Sequence, residues 1–127
     1  MIAVLIKQKR KIIMNYTENF EGIKMDIQAI DISISDDLQR SMRKMIVRLR
    51  RLFPELNWVN FYFKKNSEYS TANRKVSVRL GIQGNDAVAS DSGNNWKALL
   101  KNVEGKLHRQ LEKNKINNEW ESTTPHV

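Results

Sequence analysis

The stretch of sequence that decides the fold is SISDDLQRSMRKMIVRLRRLFP, residues 33–54. Its apolar side chains recur at the three-, four- and seven-residue spacings of one helix face, at Leu38, Met42, Met45, Ile46, Leu49 and Phe53. The segment from Ser33 to Asp37 supplies an N-cap candidate and two carboxylates for the positive end of a helix dipole, and Pro54 cannot continue a helix. The pattern therefore predicts a helix over 36–53 with one buried face.

Alternation of apolar and polar residues on both sides of this helix predicts β-strands. One strand begins at Met25, before the helix, and three follow it at 57–64, 75–82 and 87–90. Polar, turn-forming residues separate the last three, which favours an antiparallel meander. A second helix is predicted over 94–114 by the apolar stripe Trp96, Leu99, Leu100, Val103, Leu107 and Leu111.

The predicted order is β-α-β-β-β-α, an α+β fold in which two helices pack on one face of a four-stranded sheet. The 127 residues suffice for one such core. We expect residues 25–115 to form the domain and residues 116–127 to be a short polar tail. Residues 1–24 are expected to be a dispensable N-terminal extension, either disordered or translated from upstream of the native start, with Gly22 as its boundary.

The composition points to a polyanionic partner. The chain has 22 Lys and Arg against 14 Asp and Glu, a net charge of +8 and a pI near 9.9, so nucleic acid is the first candidate. The absence of cysteine excludes disulfides, thiolate zinc sites and cysteine nucleophiles. The short apolar run at the N-terminus precedes its basic cluster, the reverse of a secretory signal, and no run is long enough to span a membrane. We therefore expect a cytoplasmic protein without membrane association.

The two predicted helices hold this charge, because residues 36–53 and residues 94–115 each carry six basic and two acidic side chains. In the first helix no acid follows Asp37, which predicts a basic ridge opposite the apolar stripe. The plainer alternative is the charged outer face that any amphipathic helix presents to solvent. The predicted RNA-binding residues are Arg40, Arg43, Lys44, Arg48, Arg51, Lys106, Arg109, Lys113 and Lys115.

Three aromatic residues, Trp58, Tyr62 and Trp96, are candidates either for base stacking or for packing within the fold. Trp58 and Tyr62 alternate with the apolar residues of their strand and so face away from the helices, near basic residues of the neighbouring strands. Such aromatics either stack nucleobases or simply pack across the strands, and the second interpretation is slightly favoured. Trp96 is expected to anchor the second helix on the sheet.

Residue patterns typical of catalysis are missing from the sequence. His108 and His126 have no Ser and Asp at the spacing of a catalytic triad, and no Gly-rich phosphate loop follows a strand. Asp36 and Asp37 are explained as acids at a helix start better than as a metal or acid/base pair. We therefore predict a non-enzymatic protein with no cofactor, no metal and no small-molecule substrate.

Four segments together match a known family pattern: ISDDL (34–38), VAS (88–90), WKAL (96–99) and, most specifically, KLHRQLEKNK (106–115). They resemble the bacterial ribosome hibernation promoting factors and ribosome-associated inhibitor A, also called sigma-54 modulation proteins, in their short form. The resemblance covers about residues 25–115. It implies a fold similar to double-stranded-RNA-binding domains. By position it implies that Lys106, Arg109 and Lys113 face ribosomal RNA. This chain departs from the family at Asn94-Asn95-Trp96, where an acidic residue and Met-Tyr are usual.

The leading hypothesis is a translation inhibitor that binds ribosomal RNA of the small ribosomal subunit through both basic helices. The resemblance implies that such a protein sits near the mRNA and tRNA sites and silences idle ribosomes under stress or in stationary phase, and we expect it to be monomeric off the ribosome. The alternative is a regulatory protein-binding module, of the sigma-factor modulator type, whose basic face contacts an acidic protein.

Overall fold

The computed structural model describes residues 12–66, 73–82 and 85–123, and for residues 85 and 115–123 it describes the backbone alone. Within these residues the elements follow in the order β1 (Ile13–Phe20), β2 (Ile23–Ile30), α1 (Asp36–Leu52), β3 (Leu56–Lys65), β4 (Arg74–Ile82), β5 (Asn85–Gly93) and α2 (Trp96–Thr123).

The strands form one mixed sheet with the spatial order β1-β2-β3-β4-β5. The neighbours β2 and β3 are parallel and are connected through α1, whereas all other neighbouring strands are antiparallel. The predicted meander of the last three strands is therefore confirmed. Both helices share a single hydrophobic core with one face of this sheet, which also agrees with the sequence pattern.

Helix α1 forms where the sequence predicts it. The Ser35 hydroxyl accepts a hydrogen bond from the Leu38 N–H at 3.1 Å, which satisfies one of the free donors of the first turn. At the other end the Phe53 N–H donates to the Leu49 carbonyl at 2.8 Å, directly before Pro54. The predicted apolar stripe is buried against the sheet.

Alternate residues of the strands face the helices and form the sheet's part of the core. Phe61 and Phe63 of β3 are almost fully buried. The Trp96 ring meets the Phe63 ring edge-on, with 5.8 Å between centroids, and the Arg74 guanidinium lies over the Trp96 ring at 5.5 Å. The prediction that Trp96 anchors the second helix on the sheet is confirmed.

The prediction of a four-stranded sheet was wrong, because residues assigned to the N-terminal extension form the additional strand β1. Glu21 and Gly22 connect β1 to β2, and both have positive φ angles, 51° and 84°. This is the backbone that a two-residue turn needs to match the twist of an antiparallel hairpin. Gly22 is therefore part of a hairpin turn and not a boundary.

Strand β1 belongs to the sheet along its whole length, since every residue from Ile13 to Phe20 is paired with β2. Its side chains at Met14, Tyr16 and Phe20 pack against the core, and Ile23, at the start of β2, is only 2% exposed. Residues 13–24 of the predicted extension are thus part of the sheet, while residues 1–11 lie outside the described part of the chain.

Helix α2 is longer than predicted and reaches Thr123 rather than ending near Asn114. Residues 115–123 contain neither Gly nor Pro, the two residue types that most weaken a helix interior. Residues 116–123 of the predicted polar tail are therefore helical, and residues 124–127 lie outside the description.

Polar side chains of α2 occupy the outer edge of β5. The Lys106 ammonium donates to the Ser90 carbonyl at 2.9 Å, and the Gln110 amide accepts from the Val88 N–H at 3.0 Å and donates to its carbonyl at 3.3 Å. One turn before Lys106, the Asn102 amide donates to the Asp91 carboxylate at 3.0 Å. Lys106 and Gln110 thus bind backbone groups that would otherwise be open to pairing with a strand of another molecule.

Deletion of residues 1–22 is expected to lower the thermal unfolding midpoint by at least ~5 °C, because β2 loses its hydrogen-bonded neighbour and part of its apolar cover. The measurement is circular dichroism on heating. Deletion of residues 1–11 is the matched control, since it leaves β1 complete. Equal midpoints for the two truncated proteins would show that β1 contributes nothing to stability.

Replacement of Asp91 by Asn is expected to lower the unfolding midpoint at neutral pH but not in acid. The pKa of the Asp91 carboxyl lies below its ordinary value, mainly because of the Asn102 hydrogen bond and next because of the Ser92 N–H. Ionised Asp91 therefore stabilises the fold above its ordinary pKa of 3.8, and this contribution is lost as the pH falls through the lower folded-state value.

The double variant Asp91→Asn/Asn102→Ala tests whether this contribution passes through Asn102. If the two side chains stabilise the protein as a pair, the double variant should unfold little earlier than either single variant at neutral pH. Fully additive shifts of the midpoint, or a difference for Asp91→Asn that persists in acid, would contradict the assignment.

Candidate nucleic-acid interface

The two helices lie side by side and parallel on the sheet. Three contacts establish that they are parallel, because residues successively later in α1 contact residues successively later in α2. Asp37 lies 3.2 Å from the Lys97 ammonium, Arg48 binds Glu104 through two hydrogen bonds of 2.7 and 2.8 Å, and the rings of Phe53 and His108 are 6.1 Å apart. The polar faces of both helices thus form one outer surface.

Acidic residues from other elements bind three arginines of α1. Arg43 makes a bidentate ion pair with Glu18 of β1, Arg50 binds the carboxylate and carbonyl of Glu21 in the β1–β2 turn, and Arg48 binds Glu104 of α2. The hydrogen bonds to Glu18 and Glu104 raise the pKa values of Arg43 and Arg48, respectively. The run of bases in α1 is therefore continuous in sequence but partly neutralised in space.

The remaining predicted residues of α1 lie on its outer side. Arg40 is 3.2 Å from Asp37, an exposed pair of the kind that contributes little to stability. Lys44 and Arg51 are exposed and form no ion pair with any residue that the structure describes. These two cations are the ones on α1 that can most readily bind an external anion.

The predicted residues of α2 divide in the same way. Lys106 is directed to the β5 edge, where it binds Ser90 and lies 3.8 Å from Asp91. Arg109 and Lys113 are exposed and have no ion-pair partner within the described part of the chain. The side chain of Lys115 lies outside the description.

A groove of about 550 Å³ separates the outer sides of the two helices. Its lining includes Gly105, His108 and one acidic residue, Glu104. The four basic residues of the lining are Lys44, Arg48, Lys97 and Lys101. Lys97 holds the pKa of the Asp37 carboxyl below its usual value through a hydrogen bond. Glu104 and Asp37 thus bind two of the four cations, whereas Lys44 and Lys101 have no ion-pair partner among the described residues and make the groove suited to phosphate groups.

Lys97 and Lys101 are the basic groove residues that the predicted RNA-binding set omits. That set follows the motif at 106–115, whereas the parallel packing of the helices brings the first turns of α2 against α1. Lys97 and Lys101 are four residues apart, so the sequence alone places them on the same side of α2. That this side borders a groove becomes visible only when α1 is packed beside α2.

Groups suited to catalysis do not converge in this groove. His108 lies 3.8 Å from Glu112 on its own helix and beside the Phe53 ring. Within residues 12–66, 73–82 and 85–123 no three His, Asp or Glu side chains are placed to hold a metal ion. In the same residues no helix is long and apolar enough to cross a membrane.

The opposite face of the sheet carries Trp58 and Tyr62. The indole of Trp58 covers Gly81 on β4, where a Cβ atom would overlap the ring. Arg79, on β4 two residues before Gly81, forms an ion pair with Asp86 at 3.1 Å. Trp58 thus has a packing role across the strands, which agrees with the favoured interpretation.

Comparison with known proteins agrees with this geometry. In the solved structure of a ribosomal subunit interface protein from Coxiella burnetii, 97% of that chain aligns with 74% of this one at 20% identity and a TM-score of 0.63. In the solved structure of the N-terminal domain of Protein Y from Thermus thermophilus, 98% of that chain aligns with 76% of this one at 12% identity and a TM-score of 0.58. These likenesses establish the shared fold.

No curated protein matches the sequence. A family model described as "Sigma 54 modulation protein / S30EA ribosomal protein" matches residues 25–117. This confirms the resemblance and the prediction of a non-enzymatic protein, because the family is one of ribosome-associated regulators of translation. The matched residues make up well over half of the chain, and the protein therefore belongs to the sigma 54 modulation protein / S30EA ribosomal protein family.

Proposed function

We propose that the protein is a ribosome-associated inhibitor of translation that binds ribosomal RNA of the small subunit through the outer faces of α1 and α2. The observation that carries the proposal is a set of exposed cations without ion-pair partners among the described residues, all on the same parallel pair of helices: Lys44, Arg51, Lys101, Arg109 and Lys113.

The arrangement of these cations suits a folded RNA. Phosphates of RNA lie in closely spaced rows, and proteins recognise helical RNA mainly by its shape and backbone, as double-stranded-RNA-binding domains do. Two parallel basic ridges with a basic groove between them offer several phosphate contacts at once. We assign this binding to residues 25–115 and expect it to depend on charge more than on base sequence.

The family supports a place of action on the ribosome. The Coxiella burnetii structure is titled a ribosomal subunit interface protein. Binding of the present chain near the mRNA and tRNA sites of the small subunit would block those ligands without any reaction. We propose that the protein acts in this way in the cytoplasm as a monomer, on ribosomes that idle under stress or in stationary phase.

A second candidate function is regulation of a protein partner. The family description includes modulation of sigma 54, and the same basic surface could contact an acidic protein. RNA and an acidic protein differ in charge density, so the salt dependence of binding and the identity of the bound material distinguish the two functions.

The full-length protein is expected to co-sediment with purified small ribosomal subunits at low salt and much less with large subunits. Binding should weaken steeply as salt rises, because each phosphate contact contributes about 0.7–0.9 to the slope of log K against log salt. Failure to sediment with small subunits at low salt, together with retention by an acidic protein partner, would reverse the order of the two candidate functions.

The triple variant Lys44→Gln/Lys101→Gln/Arg109→Gln is expected to bind small subunits more weakly and to reduce the salt slope by about 2. Its thermal midpoint should change little, since none of the three side chains forms an ion pair within the described residues.

The matched control is Lys24→Gln/Lys64→Gln/Lys75→Gln, which removes the same charge from the opposite face of the sheet. The control should keep most of the affinity and the slope. An equal loss in both triple variants would mean that net charge alone attracts the ribosome and that the helical face is not the binding surface.

A further inference from the structure

A second cavity lies on the other flank of α1, between this helix and the added strand β1. Its volume is about 310 Å³, and its lining consists of Phe20 from β1 and of Arg40, Arg43, Lys44, Val47 and Arg48 from α1. Phe20 and Val47 are half-buried and form an apolar floor. Every charged residue of the lining is a cation.

The position of Phe20 is a product of the β1–β2 hairpin. Phe20 is the last residue of β1 and pairs with Ile23, so its ring lies on the helix side of the sheet at the sheet edge. Two residues earlier, Glu18 holds the guanidinium of Arg43 in a bidentate ion pair. Strand β1 therefore supplies the aromatic floor and also orients one cation of the rim.

One wall of this cavity, Phe20, lies before residues 25–117, the part that the family model matches, whereas the other lining residues belong to α1 inside that part. The cavity is also connected to the groove between the helices, since Lys44 and Arg48 line both. A ligand that occupies the groove can thus continue over the α1 ridge into the cavity.

We propose that this cavity receives one unstacked nucleobase of a bulge or loop in the bound RNA. The base would lie on Phe20 and Val47, and its flanking phosphates would bind Lys44 and Arg40. The inference rests on the proposed binding of RNA by α1 and α2, and it adds a site for a base to a surface that otherwise contacts phosphates.

The chemistry of the cavity favours this occupant. Unstacked bases of RNA have a flat apolar face and are followed on both sides by a phosphate, and aromatic side chains next to cations bind them. A fully paired RNA helix keeps its bases stacked inside and has nothing to place on an apolar floor. The same cavity therefore predicts a preference for RNA with an unpaired nucleotide.

The experiment compares two RNA hairpins that differ only by one bulged adenosine, with the full-length protein at a single salt concentration. Wild type is expected to bind the bulged hairpin about tenfold more tightly, and Phe20→Leu should abolish this ratio, since leucine fills space but has no aromatic face. Because each variant is compared with itself on two RNAs, a modest loss of stability in Phe20→Leu leaves the ratio interpretable.

Tyr62→Leu on the opposite face of the sheet is the matched control and should keep the ratio. Equal affinity of wild type for both hairpins, or a ratio retained in Phe20→Leu, would overturn the proposal. In either case the proposed function would still stand if RNA binding is salt-sensitive and is weakened in the triple variant Lys44→Gln/Lys101→Gln/Arg109→Gln. Absence of binding to either hairpin and to small subunits would instead overturn the proposed function and this inference with it, and tight binding to an acidic peptide would then identify a protein partner.

Discussion

The structure depends on the burial of one face of the sheet. Inward-facing side chains of β2, β3, β4 and β5 form a single core with the apolar stripes of α1 and α2. Each helix has one such stripe and the sheet has one core-forming face, so both helices lie on the same side of the sheet with their polar faces outward. The connection from β2 through α1 to the parallel strand β3 makes α1 part of this layer, and α2 then packs beside it over β4 and β5. The shared outer surface of the two polar helix faces is thus a consequence of core formation.

Ion pairs between distant elements divide the basic residues into two groups. Arg43 and Arg48 serve the structure, since they connect α1 to β1 and to α2, and Lys106 binds the edge of β5. Lys44 and Arg109 have no such partner among the described residues and are the stronger candidates for contact with phosphate. The net charge of the two helices, taken from the sequence, therefore overstates the charge that is free to bind RNA.

Strand β1 links stability with the proposed recognition of RNA. Its pairing covers the edge of β2, and its residues Glu18 and Phe20 meet α1. The strand lies before residues 25–117, the part that the family model matches, and it forms the edge of the sheet next to the proposed RNA surface. The proposed preference for an unpaired nucleotide therefore depends on a strand outside the matched part of the chain.

The sequence by itself determined both helices, the three strands of the meander, most of the core, the family and the outer location of the helical charge, because these follow from local periodicity and short motifs. Strand β1 was not expected, because Glu18 interrupts its apolar side, and Arg43, which binds this half-buried carboxylate, lies 25 residues later in the sequence. Lys97 and Lys101 gained importance only from the packing of α2 against α1. Tertiary structure alone decided that Arg43, Arg48 and Arg50 are neutralised, because the carboxylates that bind them come from residues far away in sequence.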